Sequence, residues 1–199
     1  MNAHNLSTRD KLIAAMADTL QRKGLHGAGL NELLAQAQAP KGSLYHHFPG
    51  GKNELAVAAI EHIGQRIDGF FAQLFREHPD PLRAMQRWLD NTLQQLEGSR
   101  FERGCPLATV ALESGPEDVE IRAALAGCFT RLRQALTTQL QGVGFSADSA
   151  ESFANLFISL YEGGLLQARV AGSSEPLQRA SAALFQLLRD YPRETRHDQ

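Results

Sequence analysis

The sequence predicts an all-α protein of about nine helices, with a three-helix head at the N-terminus and a larger helical body after it. Apolar residues recur at helical spacing in nearly every segment, whereas the period-two alternation of half-buried strands is absent. Proline and glycine divide the chain into pieces of helix length. With 199 residues, 43% of them hydrophobic and 21% charged, the composition is that of an ordinary globular protein.

Three short helices are predicted before residue 50. Ser7 and Asp10 have the spacing of a capping box, so the first helix begins there, and Gly24 can end it. Pro40 is expected in the first turn of the third helix, where its missing N–H costs nothing. Apolar residues hold the second and third helices against the core, namely Leu30, Leu33, Leu34, Ala37, Leu44 and Phe48.

Six further helices are predicted after the break at Pro49-Gly50-Gly51. They begin at or near Lys52, Pro81, Pro106, Pro116, Ala147 and Pro176. The apolar stripe of the fourth helix is expected to comprise Leu55, Ile60, Ile63, Ile67, Phe70, Leu74 and Phe75. The polar tail from Pro192 is expected to fray. We therefore divide the chain into a head, residues 1–52, and a body, residues 53–199.

Charge is unevenly distributed along the chain. Residues 1–52 contain six Lys or Arg against three Asp or Glu, a net charge of +3 within a chain whose net charge is −2. A basic head on an acidic body fits a DNA-binding protein. Chance asymmetry is the alternative, so charge only supports a conclusion drawn on other grounds.

Several classes of protein are disfavoured by what the sequence lacks. The two cysteines, Cys105 and Cys128, are far apart, which excludes a common zinc module and a disulfide scaffold. Cys105 is expected to pack as a small hydrophobe, with oxidant sensing as the alternative. No signal peptide and no apolar run of membrane length is found, so we expect a cytoplasmic protein without a membrane partner. P-loop, HExxH and GxSxG motifs are absent, and we expect neither an enzyme nor a cofactor.

The stretch LNELLAQAQAPKGSLYHHF, residues 30–48, has the pattern of a helix-turn-helix. Lys41, Ser43, Tyr45 and His46 can face outward while apolar residues anchor the same helix. A recognition helix needs this division, because it must present donors to phosphates and base edges. The adjacent histidines 46 and 47 point about 100° apart on a helix and do not chelate together, so no metal site is predicted.

KGSLYHHF resembles the recognition-helix string of the tetracycline-repressor (TetR) family, and GCPLATVALE, residues 104–113, resembles a multidrug- and flavonoid-responsive subgroup of it. The resemblance implies DNA contacts from Asn31, Lys41, Gly42, Ser43, Tyr45, His46, His47 and Lys52. Tyr45 and Lys52 match phosphate-binding positions. Two positions depart from the family pattern: Ala28-Gly29 stands where a capping Thr or Ser is usual, and Gln38 stands where the turn often has glycine.

For the body, the resemblance implies a pocket for a small lipophilic effector among the fifth to eighth helices. Its candidate lining residues are Trp88, Leu107, Val110, Glu113, Phe129, Phe153, Phe157, Tyr161 and Gln167; plain core or interface packing is the alternative for each.

The resemblance also implies a homodimer through the last two helices that reads a palindromic double-stranded operator. Gly163-Gly164, inside the eighth helix, is expected to mark either the dimer seam or a kink. A helical enzyme or adaptor that keeps a helix-turn-helix head, and a purely helical interaction module, are the alternative classes.

Overall fold

The computed structural model describes residues 6–193 and folds them into nine α-helices, with no strand in that range. In chain order they are α1 (Thr8–Lys23), α2 (Leu30–Gln36), α3 (Ser43–His47), α4 (Gly51–Glu77), α5 (Pro81–Gly98), α6 (Pro106–Glu113), α7 (Val119–Gly142), α8 (Ala147–Ala171) and α9 (Glu175–Asp190). The predicted all-α fold is confirmed. The predicted fraying of the tail after Arg193 concerns residues outside the described range. Within that range, no helix is long and apolar enough to cross a membrane.

The chain forms two compact units. The first joins the chain up to Arg66 with the segment Cys105–Cys128, and the second joins Ile67–Gly104 with the chain from Phe129 onward. Helix α6 therefore belongs to the same unit as α1, α2 and α3, and it packs on α1. This physical division does not coincide with residue 52, and the functional division proposed there stays a prediction.

Local capping signals set the bounds of α1. The Ser7 hydroxyl accepts a hydrogen bond of 3.2 Å from the Asp10 N–H and donates one of 2.7 Å to the Asp10 carboxylate. Gly24, with φ of +73°, ends the helix in a conformation that a side chain would strain. Both predicted ends of α1 are confirmed.

Two predicted helix starts are wrong, and both lie at prolines. Pro40 precedes α3 in a turn that the Ser43 N–H closes on the Pro40 carbonyl at 2.9 Å, so the helix begins only at Ser43. Pro116 occupies the second position of a turn closed by the Asp118 N–H on the Gly115 carbonyl at 3.2 Å, and α7 begins at Val119. Proline suits both a first helical turn and a β-turn, so it does not distinguish them.

The apolar stripe of α4 also differs from the prediction by one position. Phe71 is 1% exposed and stacks on Trp88 with ring centroids 4.1 Å apart, whereas Phe70 is only half-buried. The inward positions of this helix are spaced four, four and three residues apart, through Ile63, Ile67, Phe71 and Leu74. Spacings of three and four residues both fit a helical face. The predicted stripe continued from Ile67 to Phe70, three residues on, whereas the inward face of the helix continues to Phe71, four residues on.

Gly164 has a packing role within the chain, which differs from the two that the sequence predicted, a dimer seam or a helix kink. A Cβ there would lie 2.6 Å from Leu177 Cδ1 and 3.3 Å from Leu177 Cα, so Gly164 lets α9 of the same chain approach α8 closely. Gly163 has open space at its Cβ position.

The turn between α2 and α3 is a Schellman motif with Gln38 in its left-handed position. Gln38 has φ of +52°; its N–H donates to the Ala35 carbonyl at 3.1 Å, and the Ala39 N–H donates to the Leu34 carbonyl at 2.9 Å. Glycine is the residue that this position favours, because a Cβ is strained there. Gln38 therefore adopts the left-handed geometry at the position where the family often has glycine.

We expect Gln38→Gly to stabilise the protein. Relief of the left-handed strain, less the greater chain entropy of glycine in the unfolded state, should amount to about 0.5–1 kcal/mol. Thermal unfolding should show Tm rise by about 1–4 °C.

The control is Ala126→Gly, which places glycine at an exposed interior position of α7 and should lower stability by about 1 kcal/mol. A Gln38→Gly variant no more stable than the parent would contradict the assignment of strain to Gln38.

Candidate nucleic-acid interface

The α2-turn-α3 segment is buried on one side and open on the other. Leu33, Leu34, Leu44 and Phe48 are between 1% and 5% exposed and fix the segment to the core of its unit. The outward positions are those predicted for DNA: Asn31, Lys41, Gly42, Tyr45 and His46 are exposed, while Ser43 and His47 are half-buried. The geometry therefore leaves one polar side available to a partner.

Tyr45 connects the polar side of α3 with the beginning of α4. Its side chain is 61% exposed, and its Cε1 lies 3.3 Å from the position that a Cβ on Gly51 would take. Lys52 follows in the first turn of α4, half-buried. Tyr45 and Lys52 thus lie on adjoining segments, and a lysine in the first turn of a helix suits a phosphate.

Nothing among residues 6–193 requires glycine at position 42. Gly42 has φ of −79°, which any residue adopts, and no atom of those residues beyond its two chain neighbours lies within 4 Å of where its Cβ would be. The close approach of a binding partner would be a reason for glycine at this position. At the start of α2, Gly29 is the N-cap residue and provides no side-chain cap.

The lysines of the chain concentrate in the head. All four, Lys11, Lys23, Lys41 and Lys52, stand within the first 52 residues. The Lys23 ammonium donates a hydrogen bond of 2.6 Å to Glu32 and holds the pKa of that carboxyl below its ordinary value. Lys41 and Lys52 form no ion pair with any residue between 6 and 193.

Arg9, which the sequence indicated only as one cation of a basic head, lies beside the end of α3. Its guanidinium lies 5.1 Å from the centroid of the Phe48 ring, and Phe48 is the residue that caps the C-terminal end of α3. The arginine is exposed and adds a cation beside α3. No sequence pattern signals this contact, since α1 and α3 meet only in the fold.

Within residues 6–193, the two adjacent histidines of α3 are not part of a metal centre. The rings of His46 and His47 are 4.8 Å apart at 70°. Among the described residues, no three His, Cys, Asp or Glu side chains are grouped as metal ligands would be.

The residues predicted to line a ligand pocket take several kinds of position. Leu107 and Val110 are buried in the first unit, and the Glu113 carboxylate accepts hydrogen bonds from the backbone N–H groups of Leu25 and His26. In the second unit, Phe157 is 1% exposed and Phe129 is half-buried. Their role in binding a ligand stays a prediction.

The four remaining candidates belong to aromatic clusters or to the surface. The Trp88 ring lies 5.9 Å from that of Tyr161, and Phe153 packs against Phe145 and Tyr191. Gln167 is exposed and donates to the Gly163 carbonyl.

A groove between α4 and α7 in the second unit was not predicted. Its volume is about 530 Å³, and it is lined by Asp68, Phe71, Ala72, Phe75, Arg76, Arg131, Leu132, Ala135 and Gln139. Asp68 and Arg131 form an ion pair of 2.8 Å. None of the nine predicted pocket residues lines it, although Trp88 stacks on Phe71, which does.

The geometry defines a class of protein. A short helix that is anchored on one side, polar on the other and preceded by a capped turn is the reading element of a helix-turn-helix DNA-binding domain. Comparison with known proteins agrees: residues 12–59 match the model of bacterial regulatory proteins of the tetR family, and residues 81–183 match the C-terminal domain of LmrA/YxaF-like transcriptional regulators.

Individual relatives cover nearly the whole chain. The HTH-type transcriptional regulator LmrA of Bacillus subtilis is 29% identical, with 92% of this chain and 97% of the relative aligned. The HTH-type transcriptional repressor NemR of Escherichia coli is also 29% identical, over 92% and 94%. The crystal structure of a regulatory protein TetR from Rhodobacter sphaeroides superposes with a TM-score of 0.80, at 26% identity and with 90% and 97% coverage.

The chain belongs to the TetR family of transcriptional regulators. This confirms the resemblance read from KGSLYHHF, together with the DNA-binding helix-turn-helix that it implied. The family is one of regulators and not of enzymes, so the enzyme alternative is set aside.

We expect Lys52→Ala to weaken binding to every duplex sequence about equally, because a phosphate contact carries no sequence information. The slope of log affinity against log salt should become shallower by about 0.9. Fluorescence anisotropy with unrelated duplexes across a salt series measures both quantities. Ser43→Ala alters a position that is predicted to face the bases, and it should instead change sequence preference.

Arg66→Ala is the matched control, since Arg66 is an exposed cation on the same helix. An unchanged salt slope in Lys52→Ala, or an equal change in Arg66→Ala, would refute the phosphate role of Lys52.

Proposed function

We propose that this regulator acts in the cytoplasm as a dimeric repressor that binds a palindromic operator and leaves it when a small apolar or aromatic molecule binds the body. One observation carries the DNA-binding part: the polar side of α3, with Lys41, Ser43 and Tyr45, adjoins the Lys52 start of α4. A relative named as a transcriptional repressor supports the direction of regulation.

Exposed apolar residues on α8 and α9 support dimerisation. Leu156, Leu166 and Val170 of α8 and Leu187 of α9 are between 42% and 83% exposed, although the two helices pack tightly on each other. Two such pairs brought together by a two-fold axis form a four-helix bundle that removes this apolar surface from water. A two-fold dimer carries two recognition helices, which is why the operator should be palindromic.

Selection from a random duplex library tests this function. The dimer should enrich a palindrome whose half-sites lie about 10 base pairs, or a multiple of that, apart. Val170→Glu places a charge at the 83% exposed apolar position and should yield a monomer that binds the palindrome at least tenfold more weakly.

Val119→Glu is the control for the added charge, because Val119 is 68% exposed on α7, outside the proposed bundle. Sedimentation should show Val119→Glu as a dimer. A folded wild-type dimer that enriches no sequence would overturn the proposed function, and a Val170→Glu variant that stays dimeric would overturn the proposed seam.

The α4–α7 groove supports an effector that is apolar along its length and anionic at one end. Phe71, Phe75 and Leu132 contribute apolar lining. Arg76 and Gln139 lie at polar positions of the lining, and Arg76 has no ion-pair partner among the described residues. Positions 68 and 76 lie about 12 Å apart along α4, which is the length of a small substituted aromatic acid.

Trp88, the single tryptophan of the chain, provides the signal for a test because it stacks on Phe71 of the groove. We expect para-butylbenzoate to change Trp88 fluorescence on binding and to bind about fivefold more weakly to Arg76→Gln, through loss of a partly exposed charge-assisted hydrogen bond. The neutral para-butylbenzamide should bind both proteins equally.

Arg83→Gln on α5 removes an exposed arginine outside the groove and serves as the control. Ala135→Leu, at an exposed lining position, should weaken both probes by filling the groove. Equal affinity of Arg76→Gln and the wild type for the carboxylate would contradict the anionic end of the proposed ligand.

A further inference from the structure

The carboxylate of Glu113 bridges two segments that lie far apart in the sequence. Its Oε2 accepts hydrogen bonds from the backbone N–H of Leu25 at 2.5 Å and of His26 at 3.2 Å. The His26 ring approaches the same oxygen at 3.7 Å. Leu25 and His26 form the link that leads from α1 into α2, so α6 contacts the chain directly before the helix-turn-helix.

The position of Glu113 in its own helix is electrostatically unfavourable. It is the last residue of α6, and a carboxylate at a helix C-terminus faces the negative end of the helix dipole. Its side chain is 25% exposed, so part of its hydration has also been given up. Two backbone N–H donors offset both penalties, because charge-assisted hydrogen bonds are the stronger kind.

Gly24 provides the space for this contact. A Cβ on Gly24 would lie 2.1 Å from Glu113 Oε1, and the backbone there already has φ of +73°. The residue that ends α1 is therefore fitted both to its left-handed conformation and to the carboxylate beside it. Two independent features therefore accommodate the Glu113 side chain: Gly24 has no Cβ, and the backbone N–H groups of Leu25 and His26 donate to the carboxylate.

We propose that Glu113 is a positioning residue for DNA binding: it clamps the Leu25–His26 link to the end of α6 and thereby fixes the orientation in which α2 and α3 meet the operator. The clamp joins a residue inside the match to the LmrA/YxaF-like C-terminal domain with residues inside the match to the tetR-family N-terminal domain. A displacement of the C-terminal end of α6 is then transmitted to the helix-turn-helix through two hydrogen bonds. The part of this inference that concerns operator affinity rests on the proposed function.

Hydrogen exchange of the full chain tests the clamp without DNA. In Glu113→Ala the Leu25 and His26 amides should exchange at least tenfold faster. The Gly24 amide, which donates to the Leu20 carbonyl at 3.2 Å, should be unchanged and reports that α1 remains folded. Glu113→Gln, whose amide oxygen still accepts hydrogen bonds, should restore most of the protection.

Operator affinity provides the second readout, with the palindrome obtained by selection. Glu113→Ala should bind about five- to tenfold more weakly, although removal of an acid by itself favours DNA binding. Glu61→Ala is the matched control, because Glu61 is an exposed acid in the same unit and its removal changes net charge equally. It should bind as tightly as the wild type or slightly more tightly.

A double-mutant cycle separates the clamp from general destabilisation. Gly24→Ala strains the backbone at φ of +73° in either background and, in the wild type, also displaces the carboxylate. It should therefore speed exchange of the Leu25 and His26 amides by a larger factor in the wild type than in Glu113→Ala, where only the backbone strain is added. Additive effects of the two substitutions, or amide protection unchanged in Glu113→Ala, would overturn the clamp. Fast exchange in Glu113→Ala with unchanged operator affinity would overturn its role in DNA binding, whereas the absence of any operator for the wild type would count against the proposed function instead.

Discussion

The burial of Leu44 and Phe48 is the interaction on which this DNA-binding surface depends. Helix α3 has five residues, and an isolated helix of fewer than about 12 residues is marginal in water. Its conformation therefore comes from two side chains that are each 1% exposed. Because that anchorage occupies one side, the residues between must point outward, and the same constraint both stabilises α3 and presents its polar side.

The neighbouring elements act as supports for that anchored helix. The Schellman turn at Gln38 sets the angle between α2 and α3, and Gly51 leaves room for Tyr45 at the beginning of α4. Glu113 holds the link before α2 from the end of α6. Each support consists of a small number of contacts, which add to the anchorage that Leu44 and Phe48 provide.

The sequence predicted those features that local rules determine. The Ser7 cap, the Gly24 stop and the anchored pattern of Leu44 and Phe48 depend on neighbours within a few residues, so the helix-turn-helix could be located from the sequence. The helix starts predicted at Pro40 and Pro116 were wrong, because proline suits both a turn and the first turn of a helix. No local pattern could show that the Glu113 carboxylate accepts hydrogen bonds from Leu25 and His26, which lie 88 and 87 positions earlier in the sequence. Nor could a local pattern show that Arg76 of α4 and Gln139 of α7 line the same groove. Such contacts exist only once the helices are packed.

A hydroxyl-radical footprint of the full chain on its selected operator tests the central claim most directly. If paired recognition helices enter the DNA, protection should fall in two patches on one face of the duplex, centred about 10 base pairs or a multiple of that apart, and Lys52→Ala should leave their spacing unchanged. A single unphased stretch of protection would contradict reading by two anchored helices.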